Sequence, residues 1–331
     1  MAIRRSFKFD IISVGDATYD TFVTIDNASM LCSLDKDSCW LCLNYSEKIP
    51  IQALHTSMGG NACNNAVGSS RLGLKTALYS IIGSDEPGDK ILAGIKKDNV
   101  ATDYVIQDKK GATNYAVVIH YRTDRTILVY HEPRKYVLPK LGSAEWIYLT
   151  SLGKGFEKIH NQLKSQLKGT KTQLAFNPGT HQLLAGAKAL EPILVMTKVL
   201  LVNKEEAETL LSDHNHTSIK GLLQGLRHLG PEINVITDGE NGAYAFDGKD
   251  YYRLKPLPAK VLERTGAGDS FSTGFLAGLT HGLSIHESML WGGANSASVI
   301  EHFGPQAGLL TKSQVLARIK KSGLKCCTVM K

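Results

Sequence analysis

Between Trp146 and Thr237 the chain switches regularly between short apolar runs and amphipathic stretches. Residues 146–150, 173–176, 199–202 and 234–237 read as strands, and 156–167, 181–190, 204–211 and 219–229 as helices. Strands and helices in strict alternation predict a parallel sheet with helices on both faces. Upstream, residues 9–14 read as a buried strand ending at Gly15, followed by a helix over 61–72, a strand over 76–82 and a helix over 88–98. Two segments interrupt this pattern. Residues 20–57 alternate loosely among turn residues, and 112–120 with 126–130 form a hairpin across 122–125. They predict a small separate sheet over the crevice of a three-layer α/β/α sandwich built on a mostly parallel, doubly wound sheet.

At 331 residues the chain is long enough for one large α/β domain, and no linker or repeat divides it. Hydrophobic residues at 43% and charged residues at 21% are ordinary for a soluble protein. No apolar run is long enough to span a bilayer. The basic start, Met1 to Lys8, runs into a strand rather than an apolar signal core, so a cytoplasmic location is expected. The formal charge of +7 is modest. Its clusters at 109–110, 164–171 and 318–325 read as solvated helix faces without interleaved aromatics, which argues against nucleic acid as a partner. A mild positive field suits an anionic small molecule such as a nucleotide.

Cys32, Cys39 and Cys42 crowd three of the six cysteines into one segment. They are candidates for a structural zinc site completed by His55 or by a second subunit. The plainer reading is a set of reduced cysteines packed as small hydrophobes. Cys326-Cys327 is not a prenylation box, because the chain runs on to Lys331, and no physical role follows for it.

Candidate functional residues gather just after strands, where ligands bind in open α/β sheets. The run Glu263-Arg264-Thr265-Gly266-Ala267-Gly268-Asp269 lies between a strand over 251–257 and a helix over 271–279. Its nearly side-chain-free turn can aim backbone N–H groups of Gly266, Ala267 and Gly268 at an anion, and the helix dipole adds to that field. Asp269 beside such a hole suits a base that takes a proton from a hydroxyl attacking phosphorus. The alternative is an ordinary N-cap. Asp20 can bind substrate hydroxyls or be a solvated loop carboxylate. Gly59 and Gly60 let backbone approach a ligand closely, with Asn61 and Asn64 offering amides and Asn61 alternatively capping the helix. Asn203 and Glu206 can orient a Mg²⁺ shell through water, or form a capping box. Thr237-Asp238-Gly239-Glu240-Asn241-Gly242 offers a hydroxyl and amides to phosphate, or is a plain hairpin turn.

In this order the blocks resemble the carbohydrate-kinase family typified by ribokinase, adenosine kinase and the minor bacterial phosphofructokinase. The resemblance runs from Gly15 to Gly308. It includes Gly59-Gly60 with Asn64, Ala66, Gly73 and Gly83, the N-x-x-E of Asn203–Glu206, the turn at 237–242, and the G-A-G-D ending in Asp269. Residues 294–297, followed by Phe303-Gly304, resemble the family's helix beside adenine.

The resemblance implies a ribokinase-like fold with a β lid from 20–57 and 111–132, and an ATP- and Mg²⁺-dependent kinase of a small sugar. Asp269 is then the base, with Asp20, Gly60, Asn61 and Asn64 holding the acceptor. Thr237, Gly239, Gly242 and Asn295 hold ATP, and Asn203 and Glu206 support Mg²⁺ and phosphates, Glu206 through water. A nucleoside acceptor, with Tyr115, Trp40 and Ile119 as an apolar slot, and a non-catalytic ligand-binding regulator are the competing readings. A homodimer through the lid is a further expectation. Glu263 and Arg264 depart from the Asp and small residue usual there and leave the monovalent-cation requirement open. Thr273 replaces a smaller residue, and Asn61 stands where ribokinases proper carry Lys.

Overall fold

A strand with apolar residues on both faces needs cover on both, and the large sheet supplies it. The computed structural model describes residues 7–33, 39–122, 124–212 and 218–323, with the backbone of 328–330. Met1 to Ser6, Thr123, Lys325 and the Cys326-Cys327 pair lie outside the described residues. In chain order the first half comprises β1 (Phe9–Val14), β2 (Thr18–Thr24), β3 (Ser29–Cys32), β4 (Cys39–Cys42), β5 (Ala53–Gly59), α1 (Asn61–Arg71), β6 (Thr76–Gly83), α2 (Glu86–Lys97), β7 (Ala101–Asp108), β8 (Asn114–Tyr121) and β9 (Asp124–Tyr130). The second half comprises β10 (Ala144–Leu149), α3 (Glu157–Leu167), β11 (Gln173–Phe176), α4 (Thr180–Leu194), β12 (Val199–Asn203), α5 (Lys204–Leu211), α6 (Ile219–His228), β13 (Ile233–Thr237), β14 (Ala243–Phe246), β15 (Tyr251–Leu254), α7 (Ala267–Thr280), α8 (Ile285–Val299), α9 (Lys312–Ser322) and β16 (Thr328–Met330).

The large sheet runs β16-β15-β14-β13-β12-β11-β10-β1-β6-β7. From β7 to β13 every neighbouring pair is parallel, and from β13 to β16 every pair is antiparallel. Along β12 the side chains divide with a period of two: Leu200 and Val202 join a core with Leu163, Leu190, Leu210 and Leu226 of α3 to α6. Val199 and Leu201 face Phe275, Met289 and Val315 of α7 to α9. The fold is the expected three-layer α/β/α sandwich. Glycines let α7 and α8 touch along their backbones. A Cβ added at Gly274 would lie 2.6 Å from the Trp291 carbonyl oxygen, and one at Gly278 would lie 2.7 Å from Ser288 Oγ.

The interrupting segments form a four-stranded sheet, β5-β2-β8-β9, in which β2 and β8 are parallel and the other pairs antiparallel. A separate hairpin joins β3 to β4, with Cys32 directly opposite Cys39. These two cysteines form a disulfide. This corrects both sequence readings of them: sulfurs bonded to each other are neither reduced thiols nor the thiolate ligands that zinc requires. Among the described residues no group of three or more His, Cys, Asp or Glu is placed to hold a metal ion. Cys63, by contrast, packs as a small buried hydrophobe in α1.

Three boundaries differ from expectation. The strand β7 is at the sheet edge and pairs only with β6, so its polar residues Asp103, Gln107 and Asp108 hide an apolar pattern. The strand expected to reach Leu257 ends at Leu254, because Pro256 has no N–H to donate. Helix α4 extends to Leu194 but breaks at Gly186, whose φ is 78° and ψ 164°.

Phe275 is fully buried between the sheet and α8. Phe275→Ala should cost about 3–5 kcal/mol of stability, read as a lowered denaturant midpoint in chemical unfolding.

Candidate active site

Helix α7 starts at the carboxyl ends of the parallel strands, and its N-cap, Gly266, has φ 81°. That left-handed conformation, with Pro305 Cβ only 2.6 Å from where a side chain would start, restricts the position to glycine. The first turn of a helix leaves backbone N–H groups without intrahelical partners. Ala267 N–H closes the turn onto the Arg264 carbonyl at 3.3 Å. The turn is open at Gly268, where an added Cβ would meet nothing within 4 Å.

Two cavities flank this turn. The larger, about 380 Å³, is mostly apolar: Leu254, Leu257, Val261, Phe271, Ala297 and Ile300 wall it, and Gly239 and Gly242 close one end. The smaller, about 80 Å³, is lined by Asn61, Asn177, Asn203, Glu206, Asp269 and Ser272. Thr237 and Gly268 line both. The turn at 237–242 is a hairpin between antiparallel β13 and β14, and its one 3-10 turn borders the larger cavity. The plain hairpin reading is thus found, and the turn also borders a cavity.

Asp269 is half-buried, and Asn64 Nδ2 donates to its Oδ2 at 2.9 Å. Burial raises the Asp269 pKa, and the Asn64 bond counters part of the rise. Asn64 in turn accepts from Gln306 Nε2 at 2.9 Å. Asn203 and Glu206 form the capping box of α5, with Asn203 Oδ1 accepting from Glu206 N at 2.7 Å and Glu206 Oε2 accepting from Asn203 N at 2.8 Å. The same two residues line the small cavity, so the capping box borders it. Burial pushes the Glu206 pKa up to about 7, with the Asp269 charge adding to the rise.

Asp20 is in β2 and buried, not in a solvated loop. It accepts from Thr18 Oγ1 at 2.7 Å, and burial, reinforced by the Asp269 and Glu263 charges, raises its pKa to about 6. Gly59 makes room for it, since a Cβ there would lie 2.1 Å from Asp20 Oδ2.

Two desolvated carboxylates at one small polar cavity, the charge of Asp269 raising the pKa of Glu206, form a donor set that a cation would relieve. Mg²⁺ prefers one or two carboxylates with waters and phosphate oxygens. Glu206 and Asp269 with neighbouring amides fit that preference.

The model of the pfkB family of carbohydrate kinases matches residues 20–312. The chain belongs to this family. An uncharacterised sugar kinase of Archaeoglobus fulgidus is 31% identical over 73% of this chain and 98% of its own. The nucleoside kinase of Methanocaldococcus jannaschii shares the fold with a TM-score of 0.77 at 22% identity, covering 96% of this chain and 100% of its own. Arabidopsis thaliana ribokinase, solved with ribose and ATP, gives 0.77 at 20% identity, covering 94% and 99%.

In this carbohydrate kinase several expected site residues take other places. Asn295 is fully buried and does not line the large cavity. Its Nδ2 donates to the Ser270 carbonyl and its Oδ1 accepts from Leu310 N, at 2.8 and 3.0 Å, so its amide ties α8 to α7. Gly293, Ser296 and Ala297 are the α8 residues at the cavity wall. Phe303 is not at that cavity either. It stacks on His55 of the small sheet, with ring centroids 5.3 Å apart. Gly60, not Asn61, is the N-cap of α1, which frees Asn61 for the small cavity. Gly60 has φ 87° and lies against the Asp16 carbonyl, 2.6 Å from an added Cβ, so its form serves the chain's own packing.

Tyr115 and Ile119 alternate with Ala116, the register partner of Asp20, and so occupy the opposite face of the small sheet. Trp40 is exposed on the separate hairpin. Asn177 and Gln306 were missed. Asn177 directly follows β11, so the strand-end rule would have found it. Gln306 follows a glycine-proline turn and carries no such signal.

Glu206 is protonated in the folded chain over a range where it would be ionised when unfolded, so its contribution to stability falls as pH rises from about 4.5 to about 7. Glu206→Gln keeps the capping acceptor and removes that loss. Thermal melts of the ligand-free protein should show the variant above wild type at pH 8 and level with it at pH 4. A constant difference would refute the buried carboxylate as its cause.

Proposed function

We propose that the chain transfers the γ-phosphoryl group of ATP to a hydroxyl of a small sugar, with Asp269 as the base. One observation carries this reading: an apolar cavity of nucleotide size and a small polar cavity holding Asp269 meet at Thr237 and Gly268. The nucleoside part of ATP fits the large cavity against Leu257, Phe271 and Ile300. Its phosphates pass Thr237, Gly239 and Gly242 and reach the helix start, whose N–H groups at Gly266 and Gly268 and whose dipole favour negative charge, while the Ala267 N–H closes the turn.

The acceptor lies under the small sheet, which acts as the lid, with Asp20 and Asn61 holding its hydroxyls. Asp269 Oδ2 is held by Asn64, which leaves Oδ1 to accept the proton of the attacking hydroxyl. The oxygen then attacks the γ-phosphorus in line, ADP leaves, and the negative charge of the transferred group faces backbone donors rather than water. Mg²⁺ would be held by Glu206 through water, beside Asn203, and it neutralises phosphate charge when bound. The ribose and ATP named for the Arabidopsis ribokinase support this reading. A nucleoside acceptor is the second reading. The half-exposed Phe303 ring stacked on His55 favours it, because a nucleobase needs an aromatic face.

ADP release with Mg·ATP across sugars, sugar phosphates and nucleosides tests the proposal. Turnover on one acceptor class is expected, and Asp269→Asn should lower kcat by at least about 100-fold. No turnover by folded, ATP-binding protein would sink the kinase chemistry. Removing the Asn64 hydrogen bond raises the Asp269 pKa further, so Asn64→Leu should move the acidic limb of the kcat/KM profile to higher pH. An unmoved limb would take the base role from Asp269.

A further inference from the structure

Glu263 stands three residues before the Gly266 turn, and its side chain is completely buried. Its Oε1 accepts from Thr265 N at 2.6 Å, while its Oε2 is buried with no hydrogen-bond partner among the described residues. A buried carboxylate with one unsatisfied oxygen is costly, and a positive group nearby reduces that cost. The nearest is Arg125 of the lid strand β9, whose Nε lies 3.8 Å from Glu263 Oε1. That is ion-pair distance but too long for a hydrogen bond.

The neighbours make this pair a junction rather than a stray contact. Arg125 is directly opposite His120 across β8 and β9. The His120 ring meets Phe303 edge to face at 6.1 Å, and Phe303 also stacks on His55 of β5. The lid tip therefore rests on two core loops at once, the one leading into α7 and the one following α8. These loops are tied together, because Leu262 and Glu263 both donate their N–H to the Ile300 carbonyl. Glu263 holds Thr265, and Thr265 leads into the turn whose donors face the phosphate.

We propose that Arg125 is a positioning residue that couples lid closure to assembly of the anion hole. When the lid settles on an acceptor, the guanidinium closes on both Glu263 oxygens, the unsatisfied one included. A bidentate pair of this kind fixes the carboxylate, hence Thr265 and the Gly266–Gly268 turn. The inference rests on the kinase reading for its purpose, but the coupling itself is a property of the ligand-free chain.

Hydrogen–deuterium exchange on the full chain tests it without any turnover. Wild type, Arg125→Ala, Arg125→Lys, Glu263→Gln and the Arg125→Ala/Glu263→Gln double variant are compared, with α3 as the internal reference. Arg125→Ala should speed exchange of the Thr265 and Ala267 amides, the hydrogen-bonded ones of residues 264–269, by about fivefold or more, the factor for roughly 1 kcal/mol. Arg125→Lys should restore part of the protection, since it returns the charge without the fork. The double variant should be no worse than Glu263→Gln alone. Faster exchange confined to β9, with 264–269 unchanged, would overturn the proposal. This result stands even if no acceptor is ever turned over, so it is separable from failure of the kinase reading.

Once the panel yields an acceptor, Arg125→Ala should lower kcat on the order of 10- to 100-fold, the scale of a misaligned reacting geometry. Its KM for ATP should stay within about twofold, as expected where an interaction acts in the transition state. A raised acceptor KM with kcat unchanged would reduce Arg125 to a binding contact and overturn the positioning role.

Discussion

The site depends on a carboxylate that is stripped of water yet held in place. Asp269 is half-buried at the first turn of α7, and among the described residues its carboxylate is hydrogen-bonded by the Asn64 amide alone. Desolvation makes the group more basic than a surface aspartate, and one directed hydrogen bond keeps it oriented without neutralising it. The surrounding architecture maintains this balance. The glycine contacts between α7 and α8 fix the helix that carries Asp269, and the Asn295 amide ties the two together again. From the other side, Gln306 holds Asn64, and Arg71 holds the Gln306 carbonyl while pairing with Asp98 through Nε and Nη2. The Asp269 carboxylate is thus supported by α1 and α7 together, two helices far apart in sequence.

Much of this was legible before any coordinates. Period and alternation predicted the sheet and its layers, because a strand buried on both faces has few ways to be covered. The glycine-rich turn, the N-x-x-E tetrad and the 237–242 turn were visible because close backbone approach and helix starts restrict residue type strongly. What was hidden depends on register and on long-range partners. Tyr115 and Ile119 were assigned to the acceptor slot, but a strand's facing is set by pairing. Asp20 aligns with Ala116, so its own face carries His120 instead. Asn295 has the same side chain whether it binds adenine or bridges two helices, and only its neighbours decide. The opposed Cys32 and Cys39 likewise needed the β3–β4 register to be seen as a pair.

The capping box at Asn203 and Glu206 lines the small cavity, so a structural role leaves both residues in the crevice. The box requires an acceptor at Glu206 that reaches back to the helix start, and the helix start is where the parallel strands end. A residue chosen for helix geometry is thereby delivered to the crevice. Burial there raises its pKa, and the Asp269 charge adds to the rise.

The change of strand direction at β13 has a consequence for the larger cavity. Every earlier parallel strand from β10 on is followed by helix that covers the sheet, but at Thr237 the chain turns straight back into β14. The antiparallel strands β14 and β15 that follow extend the sheet beneath α7 and α8, and the larger cavity lies on that face, between the 237–242 turn, the strand exit at Leu254–Leu257 and the flank of α8. Gly239 and Gly242 both line it. That wall is therefore backbone more than side chain, and its shape follows from the reversal of the chain.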